Sequence, residues 1–167
     1  MTKDSVNTGT SDRELVITRI FDAPRDLVFK AWTDPKYMSK WWGPRGVTNP
    51  VCELDTRPGG SINIVMLAGK DLGDLEGQKW PMKGTFNEVI PSKRIVFTSS
   101  AIEDENGNPQ LEQKVTIILE DLGGKTKMTL HIVVTKAGLG TEGPLSGMKM
   151  GWNQSIDKLS EELRTHR

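Results

Sequence analysis

Residues 144–163, PLSGMKMGWNQSIDKLSEEL, carry the clearest hydrophobic periodicity in the chain. The apolar residues recur every three or four positions and form one stripe on a helix: Leu145, Met148, Trp152, Ile156, Leu159 and Leu163. Pro144 suits a first helical turn, where its missing N–H would be unpaired anyway. The pattern predicts a long amphipathic C-terminal helix whose apolar face must be covered by the rest of the fold.

Two glycines, Gly147 and Gly151, lie inside this helical stretch. Each costs about 1 kcal/mol relative to alanine in a helix interior, so the first half of the helix is the weaker half. Either another backbone passes close to the helix at these positions, or that end of the helix has to move.

The chain before the helix is dominated by the alternation of β-strands. Glu14 to Phe21 alternates between two faces, and short helices then begin at Asp22-Ala23-Pro24 and at Asp34-Pro35. After Pro50 the period stays at two through six strands, at residues 51–54, 61–67, 80–90, 94–101, 111–121 and 125–135. The order is one strand, two short helices, a meander of six strands and one long helix.

This order predicts an α+β domain. A curved antiparallel sheet of about seven strands wraps around the long C-terminal helix, with the two short helices between the first and second strands. Residues 13–167 form this single domain, and residues 1–12 are predicted to be a disordered tail. Strong curvature leaves space between sheet and helix, and such gaps are where small-molecule sites form.

Composition excludes several classes of function. The chain has 167 residues, with 22 basic and 22 acidic side chains and no basic stripe, which argues against nucleic acid as a partner. One cysteine and two histidines support no internal disulfide, no metal site, no bound cofactor and no Cys-His or Ser-His-Asp arrangement. The N-terminus does not resemble a signal peptide, and no apolar run is long enough to span a bilayer. These features predict a cytoplasmic protein.

Several motifs together resemble the domain homologous to the C-terminal part of the activator of heat-shock protein 90 ATPase, over about residues 14–164. They are Ile20-Phe21-Asp22-Ala23-Pro24, Trp41-Trp42-Gly43-Pro44, Asp55-Thr56-Arg57-Pro58-Gly59-Gly60, Gly84-Thr85-Phe86-Asn87-Glu88-Val89 followed by Pro91, and Gly151-Trp152 before Leu159. That family belongs to the START-like, helix-grip superfamily, which also includes the birch-pollen allergen type and polyketide cyclases.

The resemblance implies a helix-grip fold with a cavity between the sheet and the long helix. Many stand-alone members of the family have no assigned reaction, and the co-chaperone role belongs to longer proteins with an additional N-terminal domain. A chaperone is therefore a possible partner that the resemblance suggests, and the shared family does not imply a shared activity.

The leading functional hypothesis is a non-catalytic protein that binds a small hydrophobic or amphipathic molecule. Strand and helix faces bring the candidate ligand-binding residues together: Met66, Trp80, Met82, Phe86, Phe97, Met148 and Trp152. Methionine adapts to variable shapes, although gap filling in an ordinary core is its more common use. The glycine-rich residues 138–143 match the letters of a dinucleotide fingerprint, but no parallel strand follows them, and we interpret them as a connection that could gate the pocket.

Glu88 is the eighth candidate ligand-binding residue, because it is the one carboxylate that the alternation places on the same face as Met82 and Phe86. It could act as a general base in a cyclase- or hydrolase-type enzyme, but no second catalytic group can be named. The simpler alternative is a structural ion pair with Arg57 or Arg19.

The second hypothesis, which ranks ahead of the enzyme, is a protein-interaction module of the co-chaperone kind. It would use an exposed patch formed by Tyr37, Trp41 and Trp42. Because Trp41 and Trp42 are neighbours, we expect one of them in the core and the other at the surface or at the cavity mouth.

Overall fold

The computed structural model describes residues 6–8, 14–103, 106, 108–138 and 142–165. In chain order the elements are β1 (Val6–Thr8), β2 (Glu14–Phe21), α1 (Arg25–Thr33), α2 (Pro35–Trp41), β3 (Val47–Leu54), β4 (Ser61–Ala68), a short 3-10 helix (Lys70–Leu75), β5 (Lys79–Ile90), β6 (Arg94–Glu103), β7 (Pro109–Asp121), β8 (Thr126–Ala137) and α3 (Glu142–Thr165). The α+β helix-grip architecture predicted from the sequence is confirmed.

All strands belong to one antiparallel sheet with the order β1-β2-β8-β7-β6-β5-β4-β3. Strands β3 to β8 form the predicted meander, and β8 returns to pair with β2, for example at Ile17 opposite Leu130. Helices α1 and α2 connect β2, near one edge of the sheet, to β3 at the other edge. Seven strands were predicted, and the eighth is the short edge strand β1.

Strand β1 corrects part of the prediction for the N-terminus. Val6–Thr8 pairs with β2, with Val6 opposite Thr18, whereas residues 1–12 were expected to form a disordered tail. Strand β2 would otherwise have free N–H and C=O groups along one side, and even a three-residue partner satisfies some of them. The other residues of the expected tail lie outside the described ranges.

One hydrophobic core lies between the inner face of the sheet and the three α-helices. Strand β2 alternates as predicted, with Leu15, Ile17 and Phe21 buried. Helix α3 supplies Trp152, Ile156, Leu159 and Leu163, which are the predicted stripe residues of its second half. The helix therefore lies across the sheet as its periodicity requires.

Candidate functional site

A cavity of about 290 Å³ lies between the inner face of the sheet and the first half of α3. Three parts of the chain form its wall: the α2–β3 connection, the strands β4 to β8, and α3. The lining residues are Trp42, Gly43, Pro44, Met66, Trp80, Pro81, Met82, Ala101, Leu111, Gln113, Val134, Gly147, Met148, Gly151, Trp152 and Ser155. None of these described lining residues carries a charge, and the surface they present is mainly apolar.

Five of the eight predicted ligand-binding residues lie in this lining: Met66, Trp80, Met82, Met148 and Trp152. Met66 on β4 stands directly opposite Trp80 on β5 in the antiparallel pairing, so their side chains share one face. Met148 and Trp152 are four residues apart on α3 and therefore lie on the same side of that helix. Strand alternation and helix periodicity correctly indicated which side chains meet.

Phe86 and Phe97 were predicted in the lining but lie deeper, in the core, with 2% of each side chain exposed. Their ring centroids are 6.2 Å apart in an edge-to-face arrangement. Phe97 also contacts Trp42, with centroids 6.4 Å apart, so the two phenylalanines support the wall from behind.

Glu88 does not face the cavity, and its predicted placement is wrong. The pairing of β5 with β6 shifts between Phe86, opposite Phe97, and Glu88, opposite Val96. This bulge inserts Asn87 as an extra residue, so the alternation reverses and Val89, not Glu88, packs against the core. Glu88 is 42% exposed and forms an ion pair with Arg94, with 3.0 Å between Oε1 and Nε.

The predicted ion-pair partners of Glu88 bind other carboxylates. Arg57 pairs with Asp55 at 2.9 Å, and Arg19 pairs with Asp157 on α3 at 3.0 Å. Glu88 thus has the structural role of the simpler alternative, with a different arginine.

The predicted interaction patch is also corrected, because both tryptophans are buried. Trp41 has no exposed surface and donates its indole N–H to the carbonyl oxygen of Ala31 at 2.9 Å. Trp42 is 6% exposed and packs edge-to-face on Trp152, with centroids 5.5 Å apart. Tyr37 is partly buried against the core.

The end of helix α2 explains why two neighbours both point inward. Trp41 is the last helical residue, and Trp42 has extended backbone angles of φ −60° and ψ 136°. This change of backbone conformation places Trp41 in the core and Trp42 in the cavity lining, as expected for one core residue and one at the cavity, whereas the expected exposed patch is wrong.

Gly43 contributes only backbone atoms to the wall of the cavity. Its φ is +90°, and a Cβ atom there would lie 2.6 Å from Met66 Sδ and 2.8 Å from Val47 Cγ2. Only glycine fits a backbone that turns this way so close to the methionine.

The two helix glycines behave differently from Gly43. A Cβ atom at Gly147 or at Gly151 would meet no atom within 4 Å. No backbone of the other described residues passes close to them, which contradicts the first of the two explanations for these glycines. Both residues line the cavity, and Gly147 is also exposed to solvent.

The lining holds few polar groups. Ser155 donates its hydroxyl to the carbonyl oxygen of Gly151 at 2.9 Å. The side-chain amide of Gln113 makes no hydrogen bond with the described residues, and neither do the indole N–H groups of Trp42, Trp80 and Trp152. Gln113 was not among the predicted residues, although the alternation of β7 places it on the same face as Val115 and Ile117; the extra residue of the nearby bulge, Thr135, lies in β8.

Polar contacts hold the α2–β3 connection against α3. Arg45 pairs with Glu161 through both terminal guanidinium nitrogens, and its backbone N–H donates to Gln154 Oε1 at 3.0 Å. The hydrogen bond raises the pKa of Arg45 and lowers the pKa of Glu161. These contacts fix the segment that carries Trp42, Gly43 and Pro44 into the wall.

Lys158 completes this set of contacts by donating its ammonium to the carbonyl oxygen of Pro44 at 3.1 Å. Burial lowers the pKa of Lys158 from 10.5 to about 8, and the nearby charge of Arg45 adds to the decrease, while Glu161 opposes it. Burial therefore destabilises the protonated form of Lys158 beside the wall of the cavity.

Other features of the described residues offer no catalytic centre. Burial raises the pKa of the Cys52 thiol to about 11, which makes it a poor nucleophile. No group of three or more His, Cys, Asp or Glu side chains in the described ranges is arranged to hold a metal ion.

Within the same ranges, every helix is too short or too polar to cross a membrane. In the connection at residues 138–143, which was predicted to gate the pocket, residues 139–141 lie outside the described ranges.

A curved sheet closed over a cavity by a long C-terminal helix defines the helix-grip class of domain. A family model described as "Activator of Hsp90 ATPase homolog 1-like protein" matches residues 22–164, and the chain belongs to this family. The comparison with curated proteins found no match. This fold supports a ligand-binding or co-chaperone-like domain.

Solved structures of bacterial proteins share the fold over nearly their whole length. Protein NE0264 from Nitrosomonas europaea is 28% identical, with a TM-score of 0.75, over 94% of this chain and 97% of that chain. Protein CV1439 from Chromobacterium violaceum is 27% identical, with a TM-score of 0.76, over 92% and 98%. The AHSA1 protein SPO3351 from Silicibacter pomeroyi is 26% identical, with a TM-score of 0.73, over 92% and 99%.

Proposed function

We propose that this protein binds a small hydrophobic or amphipathic molecule in the cavity between the sheet and α3, without catalysing a reaction. The observation that carries the proposal is the open space in front of Gly147 and Gly151. Alanine at either position would strengthen the helix by about 1 kcal/mol and would meet no obstacle. Glycine keeps this space free, as a binding pocket requires.

The volume of the cavity sets the size of the molecule. An apolar cavity of about 150 Å³ accommodates one benzene ring, as known from an engineered cavity in another protein. A cavity of about 290 Å³ therefore suits a molecule of two fused rings or an equivalent branched chain. Such a pocket is at the small end of ligand sites in general.

The lining is suited to apolar contact and to variable shape. Three tryptophans provide large, rigid surfaces, and three methionines, Met66, Met82 and Met148, adapt to what is bound. The nearest carboxylate that the sequence suggested as a base, Glu88, lies on the other side of the sheet. This arrangement supports binding and offers no acid–base pair.

The co-chaperone alternative needs a surface for a protein partner. The aromatic patch expected for that role is buried at Trp41 and Trp42, so the described surface gives it no specific support. It therefore remains the alternative that the family suggests.

Titration with prodan, an uncharged two-ring naphthalene ketone whose emission shifts in apolar surroundings, tests the proposal. We expect saturable binding at one site, and we expect Gly151→Leu to weaken it at least tenfold by filling the pocket. Ser160→Leu places the same side chain on α3 outside the lining and is the matched control. Non-saturable binding, or equal affinity in Gly151→Leu and the wild type, would contradict the proposal.

A further inference from the structure

The unpaired polar groups of the lining indicate which molecules the cavity selects. This inference deepens the proposed function and rests on it. The indole N–H groups of Trp42, Trp80 and Trp152 make no hydrogen bond with the described chain, although buried tryptophans usually find a partner. In the core, Trp41 donates to Ala31, whereas the buried indole N–H of Trp32 has no partner among the described residues.

Gln113 adds a fourth unpaired group at the same cavity. Its amide can donate two hydrogen bonds, and the described residues accept neither. Its position on β7, opposite Val134 on β8, is set by backbone pairing, so the amide is held on a rigid strand. The wall is thus rich in free donors, while the one hydroxyl, on Ser155, already donates to the helix backbone.

The described lining carries no positive or negative side chain. A charged ligand would have to leave water without meeting an opposite charge, which costs several kcal/mol. The charged pairs nearby, such as Arg45 with Glu161, already satisfy each other outside the lining. The ammonium of Lys158, outside the lining, already donates to the carbonyl oxygen of Pro44. A carboxylate or an ammonium group is therefore disfavoured in the cavity.

We propose that the pocket selects an uncharged aromatic molecule bearing a hydrogen-bond acceptor, such as a ketone or ether oxygen, and that the amide of Gln113 donates to that acceptor. The aromatic skeleton lies against the tryptophans and methionines, and the acceptor fixes its orientation. Fatty acids and other carboxylates of similar size are rejected.

Three probes of matched shape separate these effects in isothermal titration calorimetry. They are 2-acetylnaphthalene, with a ketone; 2-isopropenylnaphthalene, in which a methylene group replaces the ketone oxygen; and 2-naphthoate, with a carboxylate. We expect the ketone to bind about fivefold more tightly than the hydrocarbon, as one neutral hydrogen bond provides. We expect the carboxylate to bind at least tenfold more weakly than the ketone.

Gln113→Leu keeps the size of the side chain and removes its donors. In this variant we expect the ketone to lose its advantage, so that the ketone and the hydrocarbon bind with equal affinity. Circular dichroism of the variant checks that it is folded. Trp152→Phe, which keeps an aromatic ring and removes one indole donor, is expected to retain more than half of the ketone preference in free energy.

The outcomes distinguish the two proposals. If none of the three probes binds, the proposed function itself fails. If the hydrocarbon binds but the ketone has no advantage, or the carboxylate binds as tightly as the ketone, the pocket remains and the selectivity is refuted. A full ketone preference in Gln113→Leu would overturn the assignment of Gln113 as the donor.

Discussion

The double variant Gly147→Ala/Gly151→Ala should make the protein more stable and at the same time a weaker binder. Each alanine removes a cost of about 1 kcal/mol from the interior of α3, and neither new methyl group meets an atom within 4 Å. For a chain of this length the sum of about 2 kcal/mol raises the melting temperature by about 4–8 °C. Because both glycines line the cavity, we expect the added methyl groups to reduce the space for a ligand.

Differential scanning calorimetry and prodan titration of the same preparations measure the two effects. Ser160→Ala is the control, because it raises helix propensity on α3 without touching the lining and should leave prodan affinity unchanged. A lower melting temperature in the double variant would show that α3 is closely packed at the glycines. A higher melting temperature with unchanged affinity would show that the space they face is not the binding site.

Three further expectations follow from other contacts. Glu88→Gln should change the free energy of unfolding by less than about 1 kcal/mol, because the ion pair of Glu88 with Arg94 is exposed. The variant should also bind prodan with unchanged affinity. Weaker prodan binding by a folded variant would show that Glu88 belongs to the binding site. Trp41→Phe removes the donor to Ala31 and part of a fully buried ring, so chemical denaturation should show a free energy of unfolding lower by at least about 1 kcal/mol. An unchanged free energy of unfolding would refute the buried placement of Trp41. The pKa of Lys158 is lowered to about 8 in the folded protein, so its protonated form opposes folding below pH 8. The free energy of unfolding of the wild type, relative to that of Lys158→Met, should therefore rise between pH 8 and about 10.5. A difference that stays constant across that range would contradict the burial of the ammonium group.

Much of this fold is readable from residue spacing. The stripe of α3, from Met148 to Leu163, and the alternation of β2 each predicted the buried face correctly, because one-sided burial imposes the period of the element on the sequence. The same periods place Met66, Met82 and Trp152 on the faces that meet at the cavity.

The errors cluster where the backbone departs from a regular period. A single extra residue at Asn87 turned Glu88 outward. Trp41 and Trp42 straddle the end of a helix, where neither period applies. Bulges and helix ends depend on tertiary packing, so local alternation does not fix them.

The central claim, that the cavity under α3 binds a small uncharged molecule, is tested most directly by nuclear magnetic resonance with 2-acetylnaphthalene. In ¹H–¹⁵N spectra, we expect ligand-induced shifts at the backbone amides of Gly147 and Gly151 and at the indole signals of Trp42 and Trp152, with smaller changes at the indole of Trp32 in the core. Saturating ligand that leaves these signals unmoved, or that shifts only residues on the outer face of the sheet near Glu88, would contradict the claim.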